Sequence, residues 1–199
     1  QVRKMRISHA GSFYGGRSPA AMLNALSDVF HETPALRGRI ELCLIGTVRN
    51  EDRSLVTKLG LQNDVLFTGY LEHRECTRLL LSSDVLWFVI DNDQQSPGKL
   101  YEYFGARKPS LASVVPGYTE QLLRECRAAM IVPLADCGAH RQALLDLFAA
   151  YQQKRLPRVS AEFAERFNRR FLTADLVKLF ESLIDIDQHP IQKLNGRTR

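Results

Sequence analysis

The sequence lacks several patterns that mark common functional classes. Its four cysteines, Cys43, Cys76, Cys126 and Cys137, form no CxxC pair and no zinc-type spacing, which argues for reduced, structural thiols. No apolar run approaches the ~20 residues of a membrane-spanning helix. The first residues carry neither the apolar stretch of a signal peptide nor an initiator Met. We therefore expect a cytoplasmic chain without a transmembrane segment, cut from a longer one.

A strong excess of one charge is also missing. The 199 residues include 27 Lys and Arg against 22 Asp and Glu, a formal net charge of +5. With 25% charged and 45% hydrophobic residues, the composition is that of an ordinary globular domain. It excludes a fibrous chain, a disordered chain and a disulfide-dense miniprotein. The mild basic excess is compatible with an anionic ligand, a membrane surface or nucleic acid, and selects none of them.

Short apolar runs alternate with stretches of helical periodicity. The runs predict six strands, at residues 5–10, 40–45, 65–68, 84–90, 109–114 and 128–132. Helices are predicted at 19–31, 52–59, 72–81, 99–106, 119–124, 139–153, 161–170 and 174–184. This order predicts an α/β fold, a Rossmann-like doubly wound parallel sheet of about six strands with helices on both faces and a helical C-terminal region. We assign residues 1–185 to this domain and 186–199 to a polar, flexible tail.

Two loops that follow predicted strands share a pattern. Residues 11–19 (GSFYGGRSP) and 91–99 (DNDQQSPGK) each bring Ser-Pro to a helix start, with Ser as N-cap and Pro at the first helical position. Each loop also carries a cation, Arg17 or Lys99, and glycines that permit close backbone approach, Gly15, Gly16 and Gly98. Helix starts bind phosphate readily, so two of them beside one cleft predict a diphosphate site. The alternative is that Ser-Pro serves only as a helix cap.

Other phosphate-binding patterns do not fit these loops. The glycine spacing is neither GxGxxG nor GxxxxGK[ST], which disfavours a dinucleotide fold and a P-loop enzyme. Glu102 lies three residues after Lys99 and shares its helix face. A carboxylate there suits the vicinal hydroxyls of a ribose. A plain helical ion pair explains the spacing equally well.

Four stretches together resemble a known family. They are residues 9–17 (HAGSFYGGR), 44–46 (LIG), 65–70 (VLFTGY) and 96–112 (SPGKLYEYFGARKPSLA). In order and spacing they resemble the donor site of GT-B glycosyltransferases of the large retaining family 4, the glycosyl transferases group 1. The resemblance covers roughly residues 5 to 135.

The resemblance implies that the chain is the C-terminal, donor-binding domain of such an enzyme. Arg17 and Lys99 would be catalytic, because they would stabilise the leaving diphosphate as its charge grows. Glu102 would hold the ribose hydroxyls. The other donor-binding residues would be Gly15, Gly16, Tyr70, Gln94, Ser96 and Gly98. The donor would be a nucleotide-diphospho-sugar such as a UDP-sugar. The enzyme would need no further cofactor and no metal, and it would act in polysaccharide biosynthesis.

The chain departs from the family pattern in two ways. Gln94 stands where the family often has a glutamate, eight residues before Glu102. Gln94 can hydrogen-bond a sugar hydroxyl but cannot offset positive charge on an oxocarbenium-like centre. Members with a Ser-Pro-x-Lys-Leu-x-Glu-Tyr loop often lack that glutamate too. The family's acceptor-binding N-terminal domain is also absent, so we expect the chain to bind donor without turning over by itself.

The remaining candidates have more than one interpretation. Arg166, Arg169 and Arg170 alternate with Phe163, Phe167 and Phe171, which predicts a basic amphipathic helix that packs on the domain, contacts the missing domain or touches an anionic membrane. Nucleic acid is not expected. His9 ends the first predicted strand near the cleft and is either a satisfied core or loop histidine or a ligand contact. Trp87 is a predicted core residue, and the histidines show no metal-ligand spacing. A nucleotide-sugar epimerase or phosphorylase of the same architecture, or a non-catalytic module that binds a partner, stay open as functions.

Overall fold

Six β-strands form a single sheet. The computed structural model describes residues 3–94 and 97–188. The strands are β1 (Met5–Ala10), β2 (Ile40–Ile45), β3 (Val65–Gly69), β4 (Val85–Ile90), β5 (Ser110–Val114) and β6 (Ala129–Pro133). Every neighbouring pair is parallel, and the order is β3-β2-β1-β4-β5-β6. The predicted parallel sheet is confirmed, and the strand order reverses direction between β1 and β4.

Eight α-helices are described, and they cover both faces of this sheet. They are α1 (Ala20–Glu32), α2 (Asn50–Lys58), α3 (His73–Ser82), α4 (Gly98–Ala106), α5 (Tyr118–Glu125), α6 (Cys137–Gln152), α7 (Ala161–Glu165) and α8 (Arg169–Gln188). One apolar core joins α1, α2 and α6 to the sheet, and a second joins α3, α4, α5 and α7. A sheet buried on both faces explains why its strands are nearly continuous apolar runs.

Strand β4 lies at the centre of the sheet, as its composition predicts. All six of its residues are buried. The Trp87 indole N–H donates to Ser113 Oγ at 2.8 Å, and that oxygen also lies 2.7 Å from His140 Nε2. Trp87 is thus a core residue whose polar atom has a partner. Cys43 is equally buried, and all four cysteines are free thiols, as expected.

The two Ser-Pro helix starts differ from the prediction. Helix α1 begins at Ala20, so Pro19 precedes the first turn instead of opening it. Pro19 acts as the cap residue because its carbonyl accepts the first helical hydrogen bond, from the Leu23 N–H at 2.9 Å. Ser18 Oγ accepts from the Ala20 N–H at 3.1 Å. Helix α4 likewise begins at Gly98, after Pro97.

The predicted helix 161–170 is wrong, because the chain breaks into α7 and α8. Phe167 leaves the helical path and packs its ring 5.5 Å from that of Phe104 and 5.4 Å from that of Phe163. Asn168 Oδ1 then accepts from the Arg170 N–H at 3.1 Å near the start of α8. Burying an aromatic ring in the second core therefore outweighs helix continuity at this position.

Helix α8 carries many apolar side chains on an exposed surface. Those described include Phe171, Leu172, Leu176, Leu179, Phe180 and Leu183, each about half exposed. The helix continues to Gln188, beyond the predicted domain end at residue 185. Residues 189–199 of the predicted tail lie outside the described residues. Within the described ranges, none of the helices combines the length and apolar content that crossing a bilayer requires.

Candidate functional site

The loops after β1 and β4 meet at the point where the strand order reverses. In doubly wound sheets this point, at the carboxyl ends of the strands, is where ligands bind. Two cavities open there, of about 130 Å³ and about 370 Å³. Both are lined by Ala10, Gly11, Ser12 and Lys99. The sequence prediction that these two loops share one cleft is consistent with this arrangement.

Lys99 lies between the two cavities and is held against the end of β1. Its Nζ donates to the carbonyl of Ala10. A Cβ atom on Gly11 would lie only 2.7 Å from that Nζ, so a side chain at position 11 would displace the ammonium group. Burial lowers the pKa of Lys99 below its ordinary value, and nearby Arg17 adds to the effect. Gly11 was not among the predicted site residues, and its signal was a glycine directly after a buried strand.

Tyr103 also contacts the end of β1, at Ala10. Its buried hydroxyl accepts a hydrogen bond from the Ala10 N–H at 3.1 Å. Lys99 and Tyr103 are four residues apart on α4, so both project from one face of that helix. One helix face therefore binds both polar groups of the Ala10 backbone, and this fixes the position of β1 against α4.

Replacing Tyr103 with phenylalanine should lower the free energy of unfolding by about 1–2 kcal/mol. The substitution leaves the buried Ala10 N–H without its acceptor, and an unsatisfied buried donor is costly. Urea unfolding measures the difference. Tyr118→Phe is the control, because that side chain is exposed and the same deletion should change little. Equal stabilities of the two variants would contradict the role given to the hydroxyl.

Arg17 is engaged by a residue that sequence reasoning missed. The Arg17 Nε–H donates to Asp91 Oδ1 at 2.9 Å, and an N–H of the same guanidinium donates to the Tyr14 hydroxyl at 3.1 Å. The Gly16 N–H donates to the other Asp91 oxygen at 3.1 Å. The hydrogen bond from Arg17 lowers the pKa of the Asp91 carboxyl, which therefore stays ionised. The signal in the sequence was a carboxylate directly after the central buried strand.

The other predicted residues are spread around the start of α4. Tyr70 and Glu102 line the 370 Å³ cavity together with Gly46, and Tyr70 is 81% exposed. Gly98 is the first residue of α4 and is exposed, as is Gln94 in the preceding loop. Ser96 lies outside the described residues, so its predicted role stays a prediction.

A third cavity, of about 460 Å³, is also lined by Glu102. It is lined by Gly98, Tyr101, Glu102, Phe167, Arg169 and Leu172. Glu102 therefore stands between two cavities, as Lys99 does. The basic C-terminal segment contributes Arg169 here. Arg166 instead stacks its guanidinium 4.9 Å from the centre of the Phe163 ring and pairs with Glu125 at 3.1 Å.

His9 faces the smaller cavity from inside the fold. Its Nδ1 lies 3.0 Å from the Trp87 carbonyl oxygen, so Nδ1 carries the proton and donates it. The ring stacks on Phe13 with centroids 4.5 Å apart. Burial, with smaller contributions from Lys99 and Arg17, lowers the pKa of His9 to about 4. The imidazole is therefore neutral at physiological pH, as expected for a satisfied core histidine.

Acid should destabilise the fold through His9. Its pKa is 6.5 in a free chain and about 4 in the fold, so the unfolded chain binds the proton first as pH falls. The free energy of unfolding should drop by roughly 3 kcal/mol between these two pH values and level off below pH 4. Urea unfolding of wild type and His9→Gln from pH 4 to 7 measures this. The variant should show a shallower dependence, with a remainder from His140, whose pKa burial also lowers. Parallel curves would contradict the assignment to His9.

A further cavity, of about 600 Å³, opens at the opposite edge of the sheet. It is lined by charged groups near the amino ends of the strands, which already pair with one another. Arg3 pairs with Asp84 at 2.8 Å and Arg6 with Glu41 at 2.6 Å. Ligands of such sheets bind at the other edge, so we do not place the site here. Across residues 3–94 and 97–188, no group of three His, Cys, Asp or Glu side chains is arranged to hold a metal ion.

The fold matches solved structures over nearly its whole length. HepE of Anabaena, solved in complex with UDP and glucose, matches with a TM-score of 0.71 at 16% identity, over 90% of this chain and 49% of that one. Sucrose-phosphate synthase of Thermosynechococcus elongatus matches with a TM-score of 0.67 at 18% identity, over 94% and 47%. A glycosyltransferase of Rickettsia africae matches with a TM-score of 0.71 at 14% identity, over 91% and 48%. The chain thus spans about half the length of these proteins.

Sequence comparison identifies a family, whereas the structural matches show only the fold. No curated protein matches the chain. A family model described as glycosyl transferases group 1 matches residues 9–150, which is most of the chain and includes both loops of the candidate site. The resemblance seen in the four sequence stretches is thereby confirmed. The chain belongs to the glycosyl transferases group 1 family and has the Rossmann-like α/β fold of GT-B glycosyltransferases.

Proposed function

We propose that this chain binds a nucleotide-diphospho-sugar and serves the transfer of its sugar to an acceptor. The observation that carries the proposal is the meeting of two cation-bearing loops at the switch point of the sheet. Arg17, in the loop before α1, and Lys99, in the first turn of α4, both line the same 130 Å³ cavity there. A diphosphate is the ligand whose charge and size suit two cations that share one cavity.

The residues around the cavities each bind a different part of the donor. The diphosphate lies between Arg17 and Lys99, and both cations stabilise the leaving group most strongly when the glycosidic bond breaks. Glu102, which lines the 370 Å³ cavity, accepts hydrogen bonds from the ribose hydroxyls. Tyr70 borders the base and Gln94 hydrogen-bonds the sugar. Gly15, Gly16 and Gly98 let the diphosphate approach the backbone, and Ser96, which lies outside the described residues, adds a further contact.

The donor is of the UDP type and needs no metal for binding. The complex of HepE with UDP supports a uridine nucleotide, on a neighbour of the same fold. Two side-chain cations placed at the diphosphate supply the neutralisation that a divalent metal gives in other enzymes. Adding a chelator should therefore leave UDP affinity unchanged.

Calorimetric titration of the chain tests the proposal. UDP, GDP and their sugars are the ligands, and UMP is the control that lacks the second phosphate. We expect binding by at least one diphosphate and much weaker binding by UMP, because the second phosphate carries the contact with both cations. The absence of binding by every diphosphate at millimolar concentration would contradict the proposal.

We further propose that the acceptor is bound by residues outside this chain, so the chain alone does not turn over. The half-length coverage of the matched structures and the exposed apolar side chains of α8 support this. Product analysis with the chain joined to an acceptor-binding domain tests it. Appearance of a glycosylated acceptor supports transfer, whereas an isomerised nucleotide sugar would favour the epimerase alternative.

A further inference from the structure

Asp91 already occupies the donors that the proposed function assigns to the diphosphate. One of its oxygens accepts from the Gly16 N–H at 3.1 Å, and the other accepts from the Arg17 Nε–H at 2.9 Å. The side chains of Arg17 and Asp91 are only 11% and 22% exposed. The Asp91 carboxylate thus accepts the hydrogen bonds that an anionic ligand would accept in the β1–α1 loop.

A glycine of this loop, Gly16, makes room for that carboxylate. A Cβ atom on Gly16 would lie 3.2 Å from Asp91 Oδ2, and one on Gly15 would lie 3.4 Å from the same oxygen. The contact at Gly16 is tighter than Cβ atoms usually make, whereas that at Gly15 is ordinary van der Waals contact. The absence of a side chain at Gly16 therefore lets an anionic oxygen reach the backbone, and the oxygen found there belongs to Asp91.

The formal charges of the four ionisable groups balance. Arg17 and Lys99 are cationic, whereas Asp91 and Glu102 are anionic. A diphosphate brought to Arg17 and Gly16 would meet the Asp91 carboxylate at the same donors, and like charges at such distances repel. The Gly16 N–H and the Arg17 Nε–H cannot serve both anions at once, so a diphosphate that takes these two donors must replace Asp91 there.

We propose that Asp91 is an internal competitor that holds Arg17 and the Gly16 amide in the free protein and releases them to the donor diphosphate. This inference rests on the proposed function. The exchange is one of ion pairs, with no covalent step. It keeps Arg17 oriented before the donor arrives. It also weakens the hold on the product diphosphate, because Asp91 returns to the same donors as the product leaves.

Removing the charge of Asp91 should therefore strengthen diphosphate binding. Asp91→Asn keeps the size of the side chain, and we expect about fivefold tighter binding of UDP and of inorganic diphosphate in calorimetric titrations. Asp93→Asn is the matched control, because Asp93 is in the same loop and its Cβ faces Gly117 of the next loop. The control should bind like wild type.

The outcomes separate this inference from the function on which it rests. Wild-type binding with equal or weaker binding by Asp91→Asn would overturn the exchange alone, and would make Asp91 a positioning residue for Arg17. The absence of binding by wild type and both variants would overturn the proposed function as well. Circular dichroism establishes that the variants are folded.

A measurement on the wild-type chain avoids the variants altogether. The NMR signals of the Gly16 amide and the Arg17 Nε–H report the two hydrogen bonds to Asp91. Saturation with inorganic diphosphate should shift both signals, because their acceptor changes from carboxylate to phosphate. Unchanged signals in the saturated protein would overturn the exchange.

Discussion

Replacing Lys99 with methionine should weaken UDP binding roughly ten- to a hundredfold, the range expected for a lost charge-assisted hydrogen bond. Lys99 stands between the two cavities at the switch point, where its partly buried ammonium group faces the proposed diphosphate. Methionine keeps most of the aliphatic stem, so the change removes charge with little loss of packing. Calorimetric titration with UDP measures the effect.

The matched control for this prediction is Lys58→Met. Lys58 is the exposed last residue of α2, so its replacement removes the same formal charge away from the cleft. If the control loses as much affinity as Lys99→Met, the effect comes from net charge and not from the site. Unchanged affinity in Lys99→Met would remove Lys99 from the binding site. In a chain joined to its acceptor-binding part, kcat should also fall, by about 10²–10³.

Replacing Gly46 with alanine should lower the free energy of unfolding by roughly 2–4 kcal/mol, the sum of backbone strain and overpacking. Gly46 has a φ of +118°, and a Cβ atom there would lie 2.9 Å from the carbonyl oxygen of Gly11. The obstacle is backbone, which cannot rotate away as a side chain can. Because Gly11 and Gly46 both line the 370 Å³ cavity, UDP binding should weaken too.

Gly60→Ala separates strain from overpacking. Gly60 has a φ of +67°, and a Cβ atom there would meet nothing within 4 Å. Its replacement should therefore cost about 1 kcal/mol, from backbone conformation alone. Urea unfolding of both variants gives the comparison. Equal losses of stability would show that the approach of Gly46 to Gly11 is less tight than the structure has it.

Local sequence patterns are sufficient to predict most of the strands and helices. The apolar run of β4 predicted a central strand because a strand buried on both faces needs no alternation. The same patterns predict the ends of the helices less accurately. The helix predicted across Phe167 breaks there, since whether an aromatic ring turns into a core depends on residues such as Phe104, which are remote in sequence. The one-residue shift at Pro19 reflects a choice of cap that composition does not decide.

The candidate site was predicted in its loops and cations but not in its partners. Arg17 and Lys99 stood out because each precedes or opens a helix after a strand, which is a local signal. Asp91 did not stand out as the partner of Arg17, because the two are 74 residues apart and meet only through the neighbouring positions of β1 and β4. The contact of Tyr103 with Ala10 spans 93 residues and was missed for the same reason.

By itself, then, the sequence determined the fold class, the family and the loops that carry positive charge, because periodicity, turn residues and motif spacing are properties of neighbouring residues. The tertiary structure alone decided how those charges are compensated. It placed the carboxylate that follows β4 on the loop after β1, and a tyrosine hydroxyl against the Ala10 N–H at the end of β1. The physical reason is that hydrogen bonds and ion pairs act over a few ångströms, and which groups come that close depends on strand order and not on sequence separation.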